Sequence, residues 1–153
     1  MEAKIVNINY KAKLLTPIDK RLYRQLPPSM AVLQTSLCKV IVFKSGKCRL
    51  MGLRKPITQQ DIENLSVKLI LGPIISCTCS INLNTGPLNL AKINDTLKNG
   101  SHFEPEIFPA LRLCGFTPLC VNVFQSRKCI ITGLKTCSID PILLDKIYSL
   151  VSV

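Results

Sequence analysis

The stretch VFQSRKCIITGLKT, residues 123–136, repeats VFKSGKCRLMGLRK, residues 42–55, at a constant offset of 81 residues and without a gap. Val42/Val123, Phe43/Phe124, Ser45/Ser126, Lys47/Lys128, Cys48/Cys129, Gly52/Gly133 and Leu53/Leu134 coincide, and Arg54 faces Lys135. Seven identities in 14 positions at a single offset indicate an internal duplication. Each copy opens on a β-rich run, KVIVF at 39–43 or VNVF at 121–124, then passes a tight polar turn, KSGK or QSRK, into a second run. That order predicts a β-hairpin in both copies.

Working outward, each hairpin is followed by a helix signal. In the first copy Thr58 can cap and Asp61 holds the capping-box position; Ile62, Leu65 and Leu69 fall on one face, and Gly72 closes the predicted helix. In the second, Asp140 can cap with Pro141 at the first helical position, and Leu143, Leu144, Ile147 and Leu150 form the apolar stripe. Upstream, the halves open on strand-like runs, IVNINYKAKL at 5–14 and IISCTCSINL at 74–83. The second half adds an amphipathic helix at 89–100, with Leu90, Ile93 and Leu97 on one side and a stop at Asn99-Gly100. The boundary falls near Gly72-Pro73 with no polar linker, so repeats 1–72 and 73–153 are expected to share one sheet.

The chain has 153 residues and 47% apolar content, enough for one cored domain. Its 20 Lys and Arg against 9 Asp and Glu give a net charge of +11, which favours polyanionic partners, nucleic acid first and an anionic membrane surface second. The opening MEAKIVNINYKAK lacks the apolar core of a secretory signal. The apolar run from Leu69 to Cys77, broken by Gly72 and Pro73, falls short of the roughly 20 residues that span a bilayer. A soluble, intracellular protein without membrane attachment is the expectation.

Eight cysteines, at 38, 48, 77, 79, 114, 120, 129 and 137, contain no C-x-x-C, and the single histidine, His102, lies far from any cysteine pair. They are read as buried, reduced thiols acting as small apolar residues, with no metal and no cofactor. Motifs for a serine nucleophile, a phosphate-binding loop or a zinc deaminase are absent, so catalysis is not expected.

These features resemble the TATA-box-binding proteins (TBP). FEPEIFPAL at 103–111 is similar to the family's Tyr-Glu-Pro-Glu-Leu-Phe-Pro-Gly-Leu stirrup, VFQSRKCIITGLK to its Ile-Phe-x-Ser-Gly-Lys-x-Val-x-Thr-Gly-Ala-Lys hairpin, and DKIYSL at 145–150 to the start of its closing helix segment. The resemblance spans essentially the whole chain, strongly over 86–150 and weakly over 1–37. It implies an α+β fold: a pseudo-symmetric saddle of two repeats, with a continuous curved antiparallel sheet on the concave face and helices on the convex one. The concave sheet would lie on the minor groove, with apolar wedges between base steps.

By the same resemblance, Phe108 and Phe124 are the wedges of the second repeat and Phe43 the hairpin wedge of the first, whose stirrup wedge falls on Leu26. Lys47, Arg54, Lys128 and Lys135 match the phosphate-binding lysines. Asn7 matches an asparagine that meets the A·T edge, which carries only acceptors in the minor groove. Arg49, Met51, Asn122, Ile130 and Thr132 occupy the groove-facing positions. Glu104 and Glu106 match the stirrup acids that serve a TFIIB-like factor.

The departures are specific. Arg49 and Met51 stand where the family has valine and threonine, Asn122 replaces an apolar groove residue, and Arg127 replaces the turn glycine. An arginine aimed into the groove favours narrow A/T tracts without a strict TATA sequence. Only seven residues separate Ile18 from Leu26, too few for the family's helix and strand. The first-repeat stirrup that serves a TFIIA-like factor is thus clipped, and that partner is not expected on the same footing.

Two functions follow from the resemblance. One is a general transcription factor that binds and bends A/T-rich double-stranded DNA and recruits a TFIIB-like factor and RNA polymerase, in a nucleus or another site of transcription such as a viral factory. The alternative is a protein-interaction scaffold of the same fold with weak or altered DNA specificity.

Overall fold

The computed structural model describes residues 3–15, 24–26 and 30–153, without the side chains of 24–26 and 30. Among the described residues ten strands and three α-helices follow one another: β1 (Ala3–Leu14), β2 (Arg24–Leu26), β3 (Met30–Gln34), β4 (Lys39–Phe43), β5 (Lys47–Leu53), α1 (Gln59–Ile62), β6 (Leu69–Asn82), α2 (Leu90–Leu97), β7 (Ser101–His102), β8 (Ala110–Leu113), β9 (Cys120–Phe124), β10 (Lys128–Leu134) and α3 (Pro141–Val151). The strands form one sheet in the order β2-β3-β4-β5-β1-β6-β10-β9-β8-β7. The fold class is therefore the α+β, single-sheet class implied by the resemblance.

By its contacts the chain divides into a unit of Val6–Cys77 and a unit of Met1–Ile5 with Thr78–Val153, so the division falls inside both β1 and β6. In the Val6–Cys77 unit the expected hairpin is β4 against β5, with Ile41 opposite Arg49 and Val42 opposite Cys48. Burial alternates along both strands: Val40, Val42, Cys48 and Leu50 are buried, and Ile41, Phe43, Arg49 and Met51 are not. A period of two puts one set on the core side and the other on an open face. Ile57, Ile62 and Leu65 are buried with the core set.

The other unit repeats the scheme. In β9 and β10, Val121, Val123, Cys129 and Ile131 are fully buried, while Asn122, Phe124, Ile130 and Thr132 are only half-buried. Leu90 and Ile93 of α2 and Ile147 and Val151 of α3 complete this core. Both helices start where the sequence signals: Asn89 Oδ1 accepts from Lys92 N at 3.0 Å, and Asp140 Oδ1 from Ile142 N at 2.9 Å, with Pro141 at the first turn.

One expected element is corrected. The helix drawn from Thr58 to Gly72 is a single turn, α1, although Asp61 does reach back to accept Thr58 N–H at 2.7 Å. Leu69 and Gly72 belong to β6 instead. The run LILGPII is rich in β-branched residues and holds a glycine and a proline, all poor in a helix interior. Gly72 serves the sheet, because a Cβ there would stand 3.0 Å from the Lys11 carbonyl oxygen on β1. The segment DKRLYRQ lies outside the described residues up to its last two positions, Arg24 and Gln25, which open β2.

The thiols are corrected in part. Cys38, Cys48, Cys77, Cys79 and Cys129 are buried as expected, but Cys114 is exposed and Cys120 and Cys137 are half-buried. Burial pushes the Cys129 thiol up to about 12 and also raises those of Cys38 and Cys48. Such thiols behave as small apolar side chains. Among the described residues no helix is long and apolar enough to cross a membrane.

Candidate nucleic-acid interface

The open face of the Thr78–Val153 unit ends in a pair of aromatic rings. Phe124 closes β9 opposite Ala110, and Phe108 arrives from the stirrup loop. Their centroids are 6.0 Å apart with planes at 72°, an edge-to-face contact. The loop is held by Glu104, whose carbonyl accepts the N–H groups of both Ile107 and Phe108 at 2.9 Å. Phe108 is nevertheless 42% exposed and Ile107 79%. Two large apolar side chains kept in water at a rigid loop tip carry a cost unless something covers them.

Beside the rings lie Asn122 and, on β10, Ile130 and Thr132, all half-buried on the same face. Register sets Ile130 opposite Asn122 and Asn122 opposite Arg112, which in turn faces His102. Asn122 Nδ2 lies 3.5 Å from Cys120 Sγ, while its buried Oδ1 has no hydrogen-bond partner in the protein. Glu104 reaches His102 Nε2 at 2.6 Å, and Glu106 is exposed. Lys128 is exposed at the start of β10 and Lys135 just beyond its end.

In the Val6–Cys77 unit Phe43 holds the corresponding position. Arg49, exposed, places its guanidinium carbon 5.7 Å from the Phe43 ring centroid, a cation–π contact. Register runs Phe43 to Met30 and Met30 to Leu26, so Leu26 shares a cross-strand row with Phe43. Its side chain lies outside the described residues. Met51 is half-buried on the open face; Lys47 is exposed at the start of β5 and Arg54 just beyond its end.

Asn7 is placed on the open face of β1, and its Oδ1 accepts Gly52 N–H at 3.0 Å. This bond belongs to a β-bulge: β1 advances two residues from Ile8 to Tyr10 while its partners on β5 run from Leu53 to Leu50. Gly52 takes a φ of +85° there, and Gly133 takes +90° in the other copy, which explains why both are glycine.

The sequence reading missed four open-face residues. Lys11 and Lys13 face Arg49 and Lys47 across β1 and β5, four cations on adjacent strands. Like charges directly opposite destabilise a sheet, so this cluster suits a polyanion. Asn9 and Ser76 extend the row begun by Asn7, with Asn9 Nδ2 donating to Ser76 Oγ at 3.3 Å. The strict alternation of NINYKAK already marks Asn9, Lys11 and Lys13 as one face. Nothing local marks Ser76. Among the described residues no group of three or more His, Cys, Asp or Glu could hold a metal ion.

No protein-family model matches the sequence, and no curated protein matches it. Among solved structures, TBP of Methanococcus jannaschii matches over 99% of this chain and 98% of that chain, with a TM-score of 0.76 and 24% sequence identity. The chain thus has a TBP-like fold.

Proposed function

We propose that this protein binds the minor groove of A/T-rich double-stranded DNA with the open face of its sheet and bends it, as a TBP-like factor in transcription initiation. The observation that carries the reading is the Phe108–Phe124 pair, two rings at 6.0 Å held at the end of an open sheet face with Phe108 still 42% exposed. Unstacking a base step costs on the order of a few kcal/mol, so a wedge must be apolar, stiff and carried on a rigid support. An edge-to-face pair on a hydrogen-bonded loop meets all three needs. Phe43 and Leu26 are the wedges of the other unit; Lys47, Arg54, Lys128 and Lys135 hold phosphates, and Asn7, Arg49, Met51, Asn122, Ile130 and Thr132 face the groove. Glu104 and Glu106, exposed on the stirrup beside the wedge, are the contact for a TFIIB-like factor, through which RNA polymerase is recruited.

Energy transfer between dyes at the two ends of a short A/T-rich duplex tests this. The expected result is a shorter end-to-end distance at saturating protein, lost on Phe108→Ala with Phe124→Ala. Glu104→Arg with Glu106→Arg should keep the bend and remove the ternary complex with a TFIIB-like factor. A duplex that stays straight at saturation rules the reading out and favours the scaffold.

A further inference from the structure

The hairpin turn is built twice in this chain, once around Gly46 and once around Arg127. Gly46 N–H donates to the Phe43 carbonyl at 2.9 Å, and the Gly46 carbonyl accepts Leu14 N–H at 2.9 Å. Arg127 N–H donates to the Phe124 carbonyl at 2.9 Å, and the Arg127 carbonyl accepts Leu83 N–H at 2.8 Å. The φ angles are +81° and +67°. With the backbone bonds the same, the arginine side chain closes the turn no better than glycine does, yet an L-residue holds this left-handed conformation at a cost. A strained residue kept where glycine suffices is a mark of work done by its side chain.

That side chain crosses the end of β6. Arg127 Nη1 donates to the Thr85 carbonyl at 3.3 Å, which takes one of the five N–H donors of the guanidinium. The guanidinium is thereby held at a pocket of about 750 Å³ lined by Asn82, Leu83, Asn84, Ser126, Arg127 and Tyr148 of α3, all in the Thr78–Val153 unit. Arg127 is the one charged residue among them, and two amides and two hydroxyls add neutral donors. A cation among neutral donors, with no lining carboxylate to neutralise it, suits an anion. The planar fork of the guanidinium matches phosphate oxygens in pairs. Asn82, Asn84, Ser126 and Arg127 are exposed, so the ligand enters from solvent.

We propose that Asn82, Asn84, Ser126, Arg127 and Tyr148 form a phosphate site at the end of the β9–β10 hairpin. Gly46 has no side chain to offer in the other copy, so the site belongs to one unit of the two. The phosphate can come from the backbone of a bound duplex or from a free phosphate. The duplex is the expected source, because Lys128 follows Arg127 directly at the start of β10 and the next phosphate along the strand would meet the arginine. That source rests on the DNA-binding reading; the site itself does not.

The two sources are measured separately. In duplex binding, Arg127→Gly should lower affinity about tenfold, as for lost hydrogen bonds to a charged group, and flatten the slope of log K against log salt by about 0.9. Arg127→Lys, which keeps the charge without the fork, should keep the slope and lose part of the affinity. Tyr148→Phe removes a donor and no charge, and should lower affinity about threefold. In the second measurement, inorganic phosphate replaces chloride at constant ionic strength without DNA, and the denaturation midpoint is read. A larger rise for the wild type than for Arg127→Gly identifies the free source. Losses in both Arg127→Gly and Tyr148→Phe identify the duplex source. A loss in Arg127→Gly alone, without a phosphate-dependent rise, reduces Arg127 to a lone surface cation and overturns the site. Wild type and Arg127→Gly alike in both measurements also overturn it, while the bend still supports DNA binding. If no duplex is bound, the DNA-binding reading falls and the phosphate titration alone decides the site. The glycine variant keeps the fold, since Gly46 makes the same turn.

Discussion

Arg127 occupies the hairpin turn position that Gly46 holds in the other copy, with φ of +67° against +81°. An L-residue in this left-handed region costs roughly 1–2 kcal/mol relative to glycine. The arginine recovers part of that through its guanidinium, which donates to the Thr85 carbonyl at 3.3 Å, an exposed bond of modest worth. Arg127→Gly should therefore stabilise the protein by about 1 kcal/mol, seen as a higher midpoint in chemical denaturation, and a lower midpoint would show that the Thr85 contact matters more. The duplicated Gly52 and Gly133 were legible as identities. Their cause, a positive φ at both and a bulge at Gly52, was not, because that bulge exists only once β1 pairs with β5.

At the scale of elements, the hairpins, α2 and α3 were legible because each carries its own signal: alternation, a turn, a cap, a stripe. The helix over 58–72 was misread because its capping box is real while the residues after Ile62 are claimed by the sheet. A cap fixes where a helix starts, and tertiary pairing decided where this one stopped. In β10 two isoleucines side by side isolate the effect of facing: Ile131 is fully buried and Ile130 half-buried on the open face. Ile131→Ala should cost about 2–5 kcal/mol in unfolding experiments, as for a buried branched side chain. Ile130→Ala should cost less than about 1 kcal/mol and weaken DNA binding instead. Equal losses of stability would place Ile130 in the core and remove it from the interface.

For the molecule as a whole, charge is divided unevenly. The Val6–Cys77 unit holds 12 Lys and Arg against 3 Asp and Glu, a net +9, and the remainder holds 8 against 6, a net +2. The open-face cations follow the same division, with Lys11, Lys13, Lys47 and Arg49 clustered by register in the first unit. Each phosphate contact lowers the slope of log K against log salt by about 0.9. Replacing Lys11, Lys13 and Lys47 by Gln, with the groove-facing Arg49 kept, should flatten the measured slope by about 0.9 per residue, whereas Phe108→Ala with Phe124→Ala should leave it unchanged while removing the bend. A slope that survives the three replacements would show that Lys11, Lys13 and Lys47 hold no phosphate.

The sequence by itself determined the duplication, both hairpins and the excess of positive charge, because each is written in local pattern or in composition; the wedge roles of Phe43, Phe108 and Phe124 rest on the resemblance to TBP, and local pattern alone does not separate them from core phenylalanines. Only the tertiary structure decided that 69–82 is one strand, that Phe108 meets Phe124 edge to face, and that Asn7, Asn9 and Ser76 form a row. The physical reason is common to all three. Each depends on the register between strands distant in the chain, where a shift of one residue would move every side chain to the opposite face.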